Sequence, residues 1–121
     1  MTSSKPSSIK FVPKGWGHEK WIVNKKEYCG KLLFFNEGKK CSFHYHKLKD
    51  EVFYVQSGMI YITHGDSDDI TKAKTEILRQ GDSFHVPVGL RHQMKAIRDT
   101  ELFEFSTEHF DEDSYRIVKG D

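Results

Sequence analysis

The chain of 121 residues has little cysteine, little proline and no long apolar run. Its two cysteines, Cys29 and Cys41, are too few for a disulfide framework. They read as free thiols serving as small core residues in a reducing compartment. The longest purely apolar stretch, Leu32-Leu33-Phe34-Phe35, falls far short of a membrane span. Charge of one sign is missing as well: 19 Lys and Arg stand against 18 Asp and Glu, for a formal net charge of +1. So balanced a chain offers no field suited to nucleic acid or to an anionic membrane. Leu and Ala are sparse, and no helical period is sustained beyond one turn near Phe110 to Tyr115. Met1 to Ser8 is Ser/Lys/Pro-rich with no apolar signal-peptide core. This segment reads as part of a short disordered tail, residues 1–10, on a cytoplasmic protein.

What is present favours strands. Nine Phe and five Tyr join Val, Ile and Thr in short runs, the composition of a pleated, half-buried surface. The pattern predicts strands at Lys20–Val23, Lys31–Phe35, Ser42–His46, Glu51–Gln56, Met59–Thr63, Thr75–Leu78, Ser83–Val86, His92–Ala96 and Leu102–Ser106. Turn signals separate them, among them Asn36-Glu37-Gly38, Ser57-Gly58, Gln80-Gly81 and Pro87-Val88-Gly89. Many short strands with frequent turns indicate one all-β domain over residues 11–121, an antiparallel sandwich or barrel. Aspartates alternate in the loop from Gly65 to Lys74, but the closing glutamate of a calcium loop is missing there. That loop reads as a solvated hairpin connection.

The chemistry concentrates in two segments. His44 and His46 are two residues apart, so on a strand both imidazoles point to one face. Lys47 to Asp50 are polar enough to turn the chain, and Glu51 then opens the next strand with its carboxylate returned to the same side. Gly81-Asp82 and Pro87-Val88-Gly89 bracket another strand, after which His92 can face the first three groups across a closed barrel. Three imidazoles and one carboxylate suit one borderline divalent ion: zinc, manganese, iron, cobalt or nickel. No thiolate is needed. His18, His64, His85 and His109 lie outside the pattern and read as surface or turn histidines.

These segments resemble the two sequence motifs of the cupin superfamily. Gly38, His44, His46, Glu51 and Gly58 match every fixed point of the first. Gly81, Pro87, Gly89 and His92 match the second, whose final Asn is replaced here by Ala96. The resemblance implies a conical jelly-roll barrel, a double-stranded β-helix, with a metal held inside by His44, His46, Glu51 and His92. A narrower similarity, to type II phosphomannose isomerases and the carboxy-terminal cupins of mannose-1-phosphate guanylyltransferases, rests on Trp16-Gly17, Tyr28, Lys31, Glu104 and Phe110. The Arg-Pro-Trp-Gly opening of those proteins is only partly kept, as Lys14-Gly15-Trp16-Gly17.

That similarity implies aldose–ketose isomerisation of a sugar or sugar phosphate, in which a proton moves between neighbouring carbons through an enediol. The metal would polarise the carbonyl, and a base must reach the carbon-bound proton. Glu104, Lys31 and Lys40 are the candidate catalytic residues, and Arg91 or Lys40 would meet a phosphate. Glu104 lies between Phe103 and Phe105, where an inward carboxylate needs a partner. The same ligands also serve iron-dependent dioxygenases, and a non-catalytic sugar- or metabolite-binding cupin is a further alternative. Apolar residues on both faces of several strands, with Phe34 and Phe35 adjacent, indicate that both faces are covered. The expectation is a homodimer, with cover by the amino-terminal strand of the same chain as the alternative.

Overall fold

A computed structural model describes residues 5–121. The first four residues of the expected tail lie outside the described residues, and Lys10 already opens a strand. Eleven strands follow one another: β1 Lys10–Lys14, β2 Gly17–Asn24, β3 Cys29–Phe35, β4 Phe43–Tyr45, β5 Glu51–Ser57, β6 Met59–Gly65, β7 Lys74–Arg79, β8 Ser83–Val86, β9 Arg91–Ala96, β10 Thr100–Ser106 and β11 Tyr115–Val118. Two short 3₁₀ turns, Ile70–Lys72 and Asp111–Asp113, interrupt the series.

The strands form two antiparallel sheets. One has six strands in the order β1-β2-β3-β10-β5-β8, and the other five in the order β11-β4-β9-β6-β7. Consecutive strands such as β3 and β4 lie in different sheets, so the chain crosses repeatedly between layers, as a jelly roll does. The nine expected strands are all present. β1 and β11 are additional, and the single helical turn expected near Phe110 to Tyr115 is the 3₁₀ turn Asp111–Asp113.

Alternation explains the packing. Along β3, every second residue from Cys29 to Phe35 is buried, and β5 and β10 repeat this rhythm. The inward rows share a further property. On β3 the sequence runs Phe35, Leu33, then Lys31; on β5 it runs Val55, Phe53, then Glu51. On β10 Leu102 is followed by Glu104, and on β9 Ala96 and Met94 by His92; all of these side chains are buried. Register brings the changes together, with Leu33 and Val55 both opposite Leu102, and Lys31 opposite Glu104. One end of the barrel is therefore an apolar floor and the other a polar chamber. Trp16 closes the floor by stacking on Phe35, with ring centroids 4.1 Å apart.

Two glycines fix the turns that matter. Gly58 has φ +94° between β5 and β6, and a Cβ there would collide with the Asp99 carbonyl. Gly89, at φ +89°, donates its N–H to the His46 carbonyl at 2.8 Å, tying the turn before His92 to the strand that carries the other histidines. Ala96 sits on the floor, 2% exposed and opposite Ile60. An asparagine there would bury an amide among apolar side chains, where it would need partners.

Candidate metal centre

His44, His46 and His92 project from the five-stranded sheet into the polar chamber, where their ligating atoms all lie within 4.8 Å of one another. His44 and His92 are direct cross-strand partners on β4 and β9. From the opposite sheet, Glu51 brings Oε2 to 3.2 Å from His46 Nε2 and 3.3 Å from His92 Nε2. That oxygen is buried and makes no hydrogen bond.

The outward nitrogens settle the tautomers. His44 Nδ1 is 2.8 Å from the Ser42 carbonyl, His46 Nδ1 is 3.0 Å from that of Asp113, and His92 Nδ1 is 3.0 Å from that of Leu90. A carbonyl only accepts, so in each case Nδ1–H donates and Nε2 keeps its lone pair toward the chamber. Three lone pairs and an orphaned carboxylate oxygen thus converge with no proton between them. Ligand atoms about 2.1 Å from a common centre stand roughly 3.0–3.4 Å apart, so the 3.2 and 3.3 Å separations fit adjacent positions around one cation. This donor set can hold a borderline divalent metal.

Behind Glu51 stands a residue that sequence reasoning missed. In the sequence Lys49 belongs to a polar turn, yet it is only 3% exposed. Its Nζ lies 3.3 Å from Glu51 Oε1, 3.1 Å from Glu104 Oε2 and 3.0 Å from His109 Nδ1. An ammonium only donates, so His109 accepts at Nδ1 and donates from Nε2 to Asp111 Oδ1 at 2.9 Å. Asp113 anchors the same turn: its carboxylate accepts the backbone N–H groups of Lys47, Leu48 and Lys49.

Electrostatics follow this arrangement. Burial, reinforced by the neighbouring His92 and His46, holds His44 well below the usual imidazole range. Burial alone would raise Glu51, but the Lys49 ammonium beside it holds it well below the usual carboxylate range. Burial would likewise lower Lys49, and Glu104 and Glu51 more than reverse this. His109 is lowered by burial and by the cations Lys49 and Lys31.

These directions predict the acid response of the metal-free protein. Because His44 and His109 are depressed in the fold, the unfolded chain takes up protons first as pH drops below an imidazole's ordinary value, about 6.5. The stability they contribute is present above that value and is lost as pH falls toward their folded values; Glu51 extends the loss below its own ordinary value. Thermal unfolding of the metal-free protein should show a midpoint that decreases steadily from pH 7 to pH 5. A midpoint that rises over this range would contradict the assignment.

A cavity of about 830 Å³ opens in front of the four groups, and Lys31 and Glu104 line it. Glu104 Oε2 accepts from Lys49 and from Ser106 Oγ, the latter at 2.9 Å. No described residue bonds its other oxygen.

Two expected site residues are not brought to the cavity. Arg91 precedes the inward His92 on the same strand, so alternation turns it outward. Its Nε donates to Asp68 at 3.0 Å, and its guanidinium lies 3.8 Å over the Tyr45 ring. Lys40 forms an isolated bridge with Lys95 outside the chamber, its N–H donating to Asp121 at 2.8 Å. Among the other histidines, His85 is exposed beside Asp50 and His64 pairs with Glu76. His109, by contrast, lines the cavity. Both cysteines are buried free thiols, and burial pushes the Cys41 thiol up to about 12.

The cupin domain family matches residues 32–106, a span holding both histidine segments and Glu51. The chain belongs to the cupin family. Solved structures reproduce the fold at low identity. The capsular polysaccharide assembling protein CapF from Staphylococcus aureus superposes with a TM-score of 0.80 at 18% identity, over 92% of this chain and 33% of its own. KdgF from Halomonas sp. superposes with a TM-score of 0.72 at 18% identity, over 88% of this chain and 90% of its own. Oxalate decarboxylase from Bacillus subtilis, a protein with Mn(II) centres, gives 0.77 at 15% identity over 94% of this chain and 33% of its own. This cupin thus spans about a third of the length of CapF. No curated protein matches its sequence. Among the described residues, no helix is long and apolar enough to cross a membrane.

Proposed function

We propose that this cupin is a metal-dependent enzyme that moves a proton between adjacent carbons of a small polyhydroxylated carbonyl compound, as an aldose–ketose isomerase does. The observation that carries the reading is the free oxygen of Glu104, which has no partner in the same cavity as the four convergent donors. His44, His46, His92 and Glu51 would hold zinc, manganese, iron, cobalt or nickel, and such an ion supplies polarisation of a carbonyl oxygen. Glu104 Oε1 takes the carbon-bound proton and returns it to the neighbouring carbon. Lys49 and Ser106 hold the other oxygen, which fixes the carboxylate plane. Trp16 and Phe35 give the same cavity an apolar wall.

The test is exchange of substrate hydrogen with deuterated water by metal-loaded protein, over a panel of aldoses and their phosphates. Exchange should occur with at least one member, and Glu104→Gln should slow it about 10²–10⁴-fold. No exchange across the panel, or exchange untouched by Glu104→Gln, rejects the isomerase. Stoichiometric iron with oxygen uptake would instead favour a dioxygenase.

Pairing of two copies across the outer face of the six-stranded sheet belongs to the same reading. Phe11, Ile22 and Phe105 are exposed on strands of this sheet, and Tyr28 on the turn between β2 and β3. Light scattering that reports a monomer mass would remove it.

A further inference from the structure

Lys31 is 1% exposed, yet no described acceptor lies within hydrogen-bond distance of its ammonium. The nearest carboxylate oxygen, Glu19 Oε1, is 3.6 Å away, and the ammonium rests 4.1 Å over the Trp21 ring. A buried cation leaves its donors unused only at a cost, unless they face a space where something else accepts them. That space is the cavity in front of the histidines. Lys31 stands on the six-stranded sheet, and the imidazoles stand on the facing one.

The wall as a whole points the same way. Lys10, Lys14, Lys31, Lys49, Arg116 and Lys119 line the cavity against five carboxylates. Lys49 and Lys31 are the ones in ion pairs, whereas Lys10, Lys14, Arg116 and Lys119 form none among the described residues. A divalent ion at the histidines would make the cavity more positive still. Focused in a partly enclosed cavity, such a field draws anions.

The charge of the anion is limited by Glu19 beside Lys31 and by Glu104 directly opposite it on β10. A phosphate monoester, carrying about −1.5 to −2 near pH 7, would meet two carboxylates with one ammonium to receive it. A carboxylate brings only one negative charge to the same place and meets correspondingly less repulsion.

We propose that the substrate is a small carboxylic acid whose carboxylate is received by Lys31 over the Trp21 face, while a carbonyl or hydroxyl oxygen elsewhere in the molecule reaches the histidine side. The inference goes beyond isomerisation and rests only on this cavity being the site. It assigns Lys31 to recognition of the substrate's acid group, and it replaces the phosphate expected at Arg91.

The probes are lactate, its neutral isostere lactamide, and inorganic phosphate, each titrated into metal-loaded protein by tryptophan fluorescence and calorimetry. No turnover is needed, so a failed isomerase assay leaves the result readable. Lactate should bind at least tenfold more tightly than lactamide, and Lys31→Gln should abolish the preference while Lys31→Arg keeps most of it. Glu19→Gln, which removes the carboxylate beside Lys31, should tighten lactate several-fold. A merely destabilised barrel would not bind more tightly, so this variant guards against misfolding of the first. Lactamide binding as well as lactate, a preference surviving in Lys31→Gln, or phosphate binding more tightly than lactate would each overturn the proposal.

Discussion

Replacing Lys49 with methionine should lower the thermal midpoint by about 10–20 °C in the metal-free protein. The ammonium is buried among Glu51, Glu104 and His109, at 3.3, 3.1 and 3.0 Å. Removing one partner of a buried ionic cluster costs about 3–5 kcal/mol, because the groups left behind have lost both water and their counter-charge. For a chain of this size, each kcal/mol moves the midpoint by a few degrees. The penalty belongs to the stranded carboxylates, so adding Glu104→Gln to Lys49→Met should recover part of it, and a bound divalent ion should recover more by engaging Glu51. Calorimetry of the single and double variants, with and without zinc or manganese, reads all three effects. If the double variant is no more stable than the single one, the cost lies in packing and the ionic account of this turn is wrong.

Replacing His92 with alanine should abolish retention of the metal. The wild-type protein, purified without an affinity tag, is expected to carry near one divalent ion per chain, and the variant to lose it on dialysis, with affinity down at least ~100-fold. His92 is central: its Nε2 is 3.3 Å from Glu51 Oε2, and its ring packs 4.4 Å from that of His44. Ion added to the wild type should raise the unfolding midpoint by linkage, worth about 4 kcal/mol at a thousandfold excess over Kd. In the variant this shift should disappear. His64→Ala is the control, since His64 is the cross-strand neighbour of His92 but pairs with Glu76. Loss of metal from both variants would mean that the ion sits elsewhere.

The sequence and the structure agree where periodicity is strong. Strands that bury every second residue, such as Cys29–Phe35 and Glu51–Ser57, carry their pattern openly, and so does the His44/His46 spacing. The strands that escaped are Lys10–Lys14, which contains a proline and buries none of its residues fully, and Tyr115–Val118, which is short and exposed at its start. Both lie at sheet edges, where alternation is weakly enforced. Lys49 escaped for another reason. A Lys-Leu-Lys-Asp turn has the composition of a solvated loop, and only the backbone anchor from Asp113, more than sixty residues away, folds it inward. Arg91 shows the converse: it adjoins His92 in sequence, but strand parity turns neighbouring residues to opposite faces.

The shared level at which β3, β5, β9 and β10 exchange apolar for polar side chains divides the labour of the barrel. Below it, Phe35, Leu33, Val55, Ile60 and Leu102 secure the architecture through volume alone, and volume-conserving exchanges among them are tolerated by cores of this kind. Above it, a handful of positions one step further along each strand decide reactivity. The chamber can therefore be rewritten at Lys31, Glu51, His92 and Glu104 while the lower half keeps its shape. In this molecule, evolvability amounts to a change of altitude along four strands.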